Sequence, residues 1–177
     1  MAIVLAFLSI VQTAEANSRM KQFQLYTRCL GVHLVVEELP KNAERIDLTR
    51  EQITKVVMDK LQKAQLYVPR KFVVGAPDEI HPILYVSVNL SRTAFSIGIE
   101  LRKVVLDNYS EQEEYAVTWR IGTLGVHGFR NQFILRMVDK YTGVFIKEWT
   151  RINRPKCPEG DMVKPEQGPI QPPVRIR

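Results

Sequence analysis

At 177 residues and 20.4 kDa the chain holds one ordinary domain and little beyond it. Hydrophobic residues at 45% and charged residues at 25% exclude wholesale disorder and a multi-span membrane protein. The excess of 25 Lys+Arg over 19 Asp+Glu, with a pI near 9.4, is mildly basic and fits many partners; two cysteines and three histidines are too few and too scattered for a disulfide scaffold or a zinc module.

Residues 2–11 form an apolar run with one serine, and Ala14-Glu15-Ala16 follows as a small-x-small triplet. That order reads as a secretory signal peptide over residues 1–16. The run is shorter than the roughly 20 residues a spanning helix needs, so the mature protein is expected to lack a transmembrane span. No Lys or Arg precedes Arg19, so the basic start of such a peptide is missing, and a buried or amphipathic N-terminal helix is the other reading. At the far end, residues 154–177 hold six of the ten prolines and no apolar periodicity, which reads as a disordered tail. A single folded domain is left within residues 17–153.

Inside it, Val32, Leu34 and Val36 alternate with His33, Val35 and Glu37, which predicts a strand over Gly31–Leu39 ended by Pro40. Thr49-Arg50-Glu51-Gln52 is a capping box, and Ile53, Val56, Val57, Leu61 and Ala64 place one apolar stripe along a helix over residues 50–66. Tyr67–Val74 is an edge strand at most, because Pro69 lies within it. Ile83–Leu90 puts Leu84, Val86, Val88 and Leu90 on one face, and Ser91-Arg92-Thr93 is a turn. Phe95, Ile97, Ile99 and Leu101 continue the buried face. The acidic stretch from Asp107 to Glu114 reads as a loop, after which Tyr115, Val117, Trp119 and Ile121 resume that face. A last helix is predicted over residues 129–152, with Phe133, Ile134, Met137, Val138, Tyr141, Phe145 and Trp149 inward. The expected fold class is α+β: a two-layer sandwich in the order β-α-β-β-β-α, mainly antiparallel, with both helices on one face of the sheet.

Catalysis has no candidate constellation. The chain lacks G-x-S-x-G and any cysteine beside a base, and Glu37-Glu38 and Glu113-Glu114 are not ordered as acid/base pairs. His33, His81 and His127 lack metal-ligand spacing, so neither metal nor cofactor is expected. Two surfaces remain. Gly122, Gly125, His127, Gly128 and Arg130 stand between a strand and a helix, where free amides suit a small anion or phosphate, although no nucleotide fingerprint is present. The sheet face without helices carries Tyr85, Asn89, Arg102, Thr118 and Arg120, a polar mixture that suits solvent, a protein partner or a homodimer. Nucleic acid is not favoured, because the positive charge is spread along the chain and only Tyr85 interleaves with it. Cys29 and Cys157 bracket the domain and would join its ends in an oxidising compartment.

Val-Val-Glu-Glu-Leu-Pro, Leu-Thr-x-x-Gln-Ile, Leu-Tyr-Val-x-Val-Asn, Ser-Ile-x-Ile-Glu-Leu and Thr-Trp-x-x-Gly-x-x-Gly-x-x-Gly, spread over about residues 30–150, together resemble a group of small exported bacterial proteins of unknown function. The element order is similar to the N-terminal domain of the Tol-system translocation protein and to activators of penicillin-binding proteins. Those resemblances imply a periplasmic or secreted, non-catalytic module with a protein partner in the cell envelope. Two other classes stay open: a small-anion-binding protein or enzyme centred on Gly122–Gly128, and a cytosolic basic protein that binds nucleic acid.

Overall fold

Thr49 starts the first long helix as the capping box requires. Its hydroxyl accepts from the Gln52 amide at 3.2 Å, and the Gln52 side chain accepts from the Thr49 amide at 3.0 Å. The computed structural model describes residues 18–69, 81–126, 128 and 130–157. Within them, residues 18–25 form a helix (α1), followed by strand β1 (His33–Val36), a 3-10 turn (Lys41–Ile46), helix α2 (Arg50–Lys63), strands β2 (Ile83–Leu90), β3 (Ala94–Asp107) and β4 (Gln112–Val126), and helix α3 (Asn131–Asn153). The sheet runs β1-β2-β3-β4; β1 and β2 are parallel across the α2 crossover, and the other two pairings are antiparallel. Both long helices pack on one face, and Ile53, Val57 and Leu61 of α2 share a single core with Ile134, Val138, Phe145 and Trp149 of α3 and the inward strand residues. The α+β sandwich, and its element order from β1 onward, are as expected from the sequence. No helix among the described residues is long and apolar enough to cross a membrane.

Four expectations need correction. The acidic segment Asp107–Glu114 is a loop only over residues 108–111: β3 and β4 run into it from both sides as one long hairpin, paired Val105 to Glu114, Leu106 to Glu113 and Asp107 to Gln112. Charged residues are tolerated there because the hairpin overhangs the core and both faces meet water.

The second correction follows from a bulge. Leu101 pairs with Trp119 but Arg102 pairs with Val117, so β4 carries Thr118 as an extra residue. One inserted residue reverses the phase of everything beyond it. Tyr115 and Val117 therefore leave the buried face and lie on the open one, 49% and 48% exposed. Thr118 makes the opposite move: it is buried on the helix side, where its hydroxyl donates to the Gln24 carbonyl at 2.8 Å.

Third, helix α1 stands ahead of β1, inside the expected domain of residues 17–153 but where no element was expected. The described part of α1, residues 18–25, is held by its orphan carbonyls. Lys103 Nζ donates to the Phe23 and Tyr26 carbonyls, Thr118 to Gln24, and Asn153 Nδ2 to Leu25 at 2.9 Å. Burial holds the Lys103 ammonium below its usual pKa. Fourth, Arg154–Lys156 is a 3-10 turn rather than tail, and it delivers Cys157 to a disulfide with Cys29, Cα–Cα 5.5 Å. On α3, Phe133 is 40% exposed, and Thr142 and Asn153 are buried instead. The edge strand expected over Tyr67–Val74 is a single parallel bridge from Tyr67 to Val32; residues 70–74 of it, the signal peptide of residues 1–16 and the tail beyond Cys157 lie outside the described residues.

Candidate binding face on the open side of the sheet

Strand registers set the open face in rows. Tyr85, Glu100 and Arg120 stand opposite one another; Ile83, Arg102 and Val117 form the next row, and Ser87, Gly98 and Gly122 the row on the other side. Glu100 is clamped: Arg102 donates to its carboxylate at 2.8 Å and 3.2 Å, and Arg120 approaches at 3.5 Å. The Arg102 guanidinium also lies 3.7 Å from the Tyr85 ring centre, a stacking arrangement that fixes both side chains. Burial, and after it the charge and hydrogen bond of Glu37, hold the Tyr85 hydroxyl above its usual pKa, so it stays a neutral donor. With side chains absent at Gly98 and Gly122, a shallow trough of ≈ 420 Å³ crosses the strands between Arg120, Asn89 and Ser96.

Tyr85, Asn89, Arg102 and Arg120 are thus together on this face, and Thr118 is not. The polar mixture expected from the sequence is only half of its character. Leu106, Tyr115, Val117, Leu124 and Val126 all lie on it by register, Leu124 and Val126 at 77% and 70% exposure. Four of these five belong to β4, the outermost strand. Leu124 and Val126 were legible in principle, because they continue the period of two past Gly122. Tyr115 and Val117 were not, since no residue type announces the bulge.

The first five residues of the glycine segment, Gly122–Val126, are strand rather than loop. Gly122 and Gly125 pair with Gly98 and Phe95 inside the ladder, while Gly128 adopts a positive φ of 53° on the way into α3. Each strand glycine has a packing cause: a Cβ on Gly122 would run into the Ile97 carbonyl oxygen, and one on Gly125 would sit 2.9 Å from the Phe95 ring. Arg130 takes the N-cap position of α3 with no side-chain capping bond. His127 lies outside the described residues. We expect Gly122→Ala to lower the unfolding free energy by about 2 kcal/mol, read from the urea midpoint, because the strand backbone must shift. A loop that only cradled an anion would lose ligand affinity and keep its midpoint.

His33 and His81 meet edge to face with ring centres 4.8 Å apart, and Tyr115 donates to the His81 carbonyl at 3.2 Å. Among the described residues no group of three or more His, Cys, Asp or Glu is placed to hold a metal ion. What the open face can do chemically is bind: it offers a rigid arginine–tyrosine–glutamate cluster beside an apolar strip.

No family model matches the chain and no curated protein matches it, so the motif resemblance over residues 30–150 has no support from either comparison. Among solved structures the chain is similar to the crystal structure of rare lipoprotein B from Shewanella oneidensis, at 10% identity over 67% of this chain and 94% of that one, with a TM-score of 0.26, a level that establishes neither a shared fold nor a shared activity.

Proposed function

We propose that the protein is a non-catalytic binding module that works outside the cytoplasm and docks a protein partner on its open sheet face. The observation that carries this reading is β4: a fifteen-residue edge strand whose Val117, Leu124 and Val126 project, uncovered, on the face the helices leave bare. An edge strand offers unpaired backbone groups, and exposed apolar side chains beside it supply the area a partner buries. The Arg102–Glu100–Arg120 cluster next to the strip gives a polar rim with its charges already matched. The Cys29–Cys157 bond supports the compartment, since such bonds persist in the periplasm or outside the cell and are rare in the cytosol.

A photo-crosslinking residue at Leu124, compared with one at Lys55 on α2, tests the reading in the native host. Leu124 is expected to give one discrete adduct in the envelope fraction and Lys55 none; an adduct of twice the chain mass would identify the partner as a second copy. Recovery of the protein in the cytosol with both thiols alkylatable, or no adduct from Leu124, rejects it.

A further inference from the structure

Five of the 25 Lys and Arg residues, dispersed in the linear sequence, come into line on α3 and at its end. Beyond Phe133, the exposed residues of this helix are Arg136, Lys140, Lys147 and Arg151, and Arg154 follows at its end. Spacings of four, seven, four and three keep all five on one helical face, a line of ~27 Å at 1.5 Å per residue. The two acidic residues of α3 lie off that line and are engaged elsewhere. Asp139 pairs with Lys60 at 3.0 Å, and Glu148 with Lys21 at 2.9 Å while also accepting from the Trp119 indole at 3.1 Å. Burial works to raise the Glu148 carboxyl, but the Lys21 and Trp119 hydrogen bonds and the Lys21 and Arg151 charges outweigh it and hold the group below the usual range, so it stays ionised and paired. Among the described residues none of the five stripe cations forms a salt bridge, and only Arg151 has its charge partly offset, by Glu148.

We propose that this face of α3 seats the protein against an anionic lipid surface. Charge complementarity names a polyanion. The choice among polyanions follows from what the stripe lacks and what adjoins it. From Arg136 onward its exposed positions are all ammonium or guanidinium groups, with no amide to read a base, and Phe133, one turn ahead on the same face, is engaged edge to face with Phe95. At the Arg151 end, α1 is docked beside α3 by the Lys21–Glu148 pair and presents Met20 and Phe23, 58% and 60% exposed. Cations along a helix with apolar side chains at one end are the chemistry of interfacial attachment to acidic headgroups. The stripe lies on the helix layer and the candidate docking face on the bare side of the sheet, so a molecule seated through α3 would leave the sheet face clear. This inference is independent of the partner reading.

The test is flotation of the full chain with vesicles of phosphatidylcholine, with and without phosphatidylglycerol. Association with the acidic vesicles only, falling as sodium chloride is raised, is the expected result. The charge reversal K140E/K147E/R151E should weaken it roughly tenfold or more, while K41E/R45E/R92E, with the same change in net charge at other exposed sites, should cost far less. The milder K140Q/K147Q pair replaces the reversal if thermal melts show a loss of fold, and should weaken binding by severalfold. Equal flotation with neutral vesicles overturns the proposal, because attachment would then be apolar. So does an equal loss in the two triple variants, which would reduce the effect to net charge. Tighter binding to duplex DNA than to acidic vesicles at the same salt overturns it in favour of nucleic acid.

Discussion

Removal of the Cys29–Cys157 bond, as C29S/C157S, is expected to lower the unfolding free energy by about 4–5 kcal/mol. The two residues are 128 apart in sequence, so the cross-link closes nearly the whole folded chain into a loop. In the chain-entropy model the stabilisation grows with the logarithm of loop length, and a loop of this size reaches about 5 kcal/mol. Domains of this class have only about 5–15 kcal/mol in total, so the variant should be near its threshold at 37 °C. Urea unfolding of the wild type with and without reductant gives the same comparison without mutation. The slope should rise as well, because the uncrosslinked denatured chain exposes more surface. A loss below 1 kcal/mol would mean that native-state strain offsets the entropy gain.

The second large effect is expected at Asn153, which is fully buried in the last turn of α3. Its Oδ1 accepts from the Thr27 amide at 2.9 Å, and its Nδ2 donates to the Leu25 carbonyl at 2.9 Å and the Trp149 carbonyl at 3.0 Å. The neighbouring Trp149 indole donates to the Thr27 hydroxyl at 3.1 Å, and that hydroxyl donates to the Leu30 carbonyl at 2.8 Å. Asn153→Ala leaves the Thr27 amide and Leu25 carbonyl buried without that partner, and we expect a loss of about 3 kcal/mol in the urea midpoint analysis. Hydrogen exchange should localise the damage: amides of α1 and residues 26–30 lose protection before those of β2 and β3. Because Asn153 and the disulfide close the same junction, their effects should depart from additivity by more than 0.5 kcal/mol in a double-mutant cycle.

Much of this architecture is written in local patterns. The Thr49–Gln52 capping box, the alternation through Ile83–Leu90 and Phe95–Leu101, and the apolar stripe of α2 each follow from short-range geometry and can be read without the fold. The features that define the candidate surfaces do not have that property. A bulge adds one residue without any composition of its own, so the reversal of Tyr115, Val117 and Thr118 is set by the partner strand and by the α1 carbonyl that Thr118 reaches. The α1 helix carries one fully buried apolar side chain, Leu25, and owes its place to donors from β3, β4 and α3. The cations of α3 look scattered in a linear reading and align only when the helix is drawn at 3.6 residues per turn. That signal was present in the sequence, but it takes the outer face of the helix, not its apolar face, to find it. The two cysteines were legible as a pair, although their union depends on both chain ends folding onto one corner.

That corner has a mechanical consequence. Cys29 and Cys157 sit 5.5 Å apart at their Cα atoms, so the polypeptide enters and leaves the sandwich at a single covalent knot. Tension applied between a segment ahead of Cys29 and one beyond Cys157 passes through two side chains and bypasses the four-stranded sheet. Only the docking of α1, which lies ahead of Cys29, would feel the load, and the Arg154–Lys156 turn is shielded with the sheet inside the closed loop. The oxidised domain then behaves in a stretched chain as an inextensible bead, and reduction would place its sheet and core in the line of force for the first time.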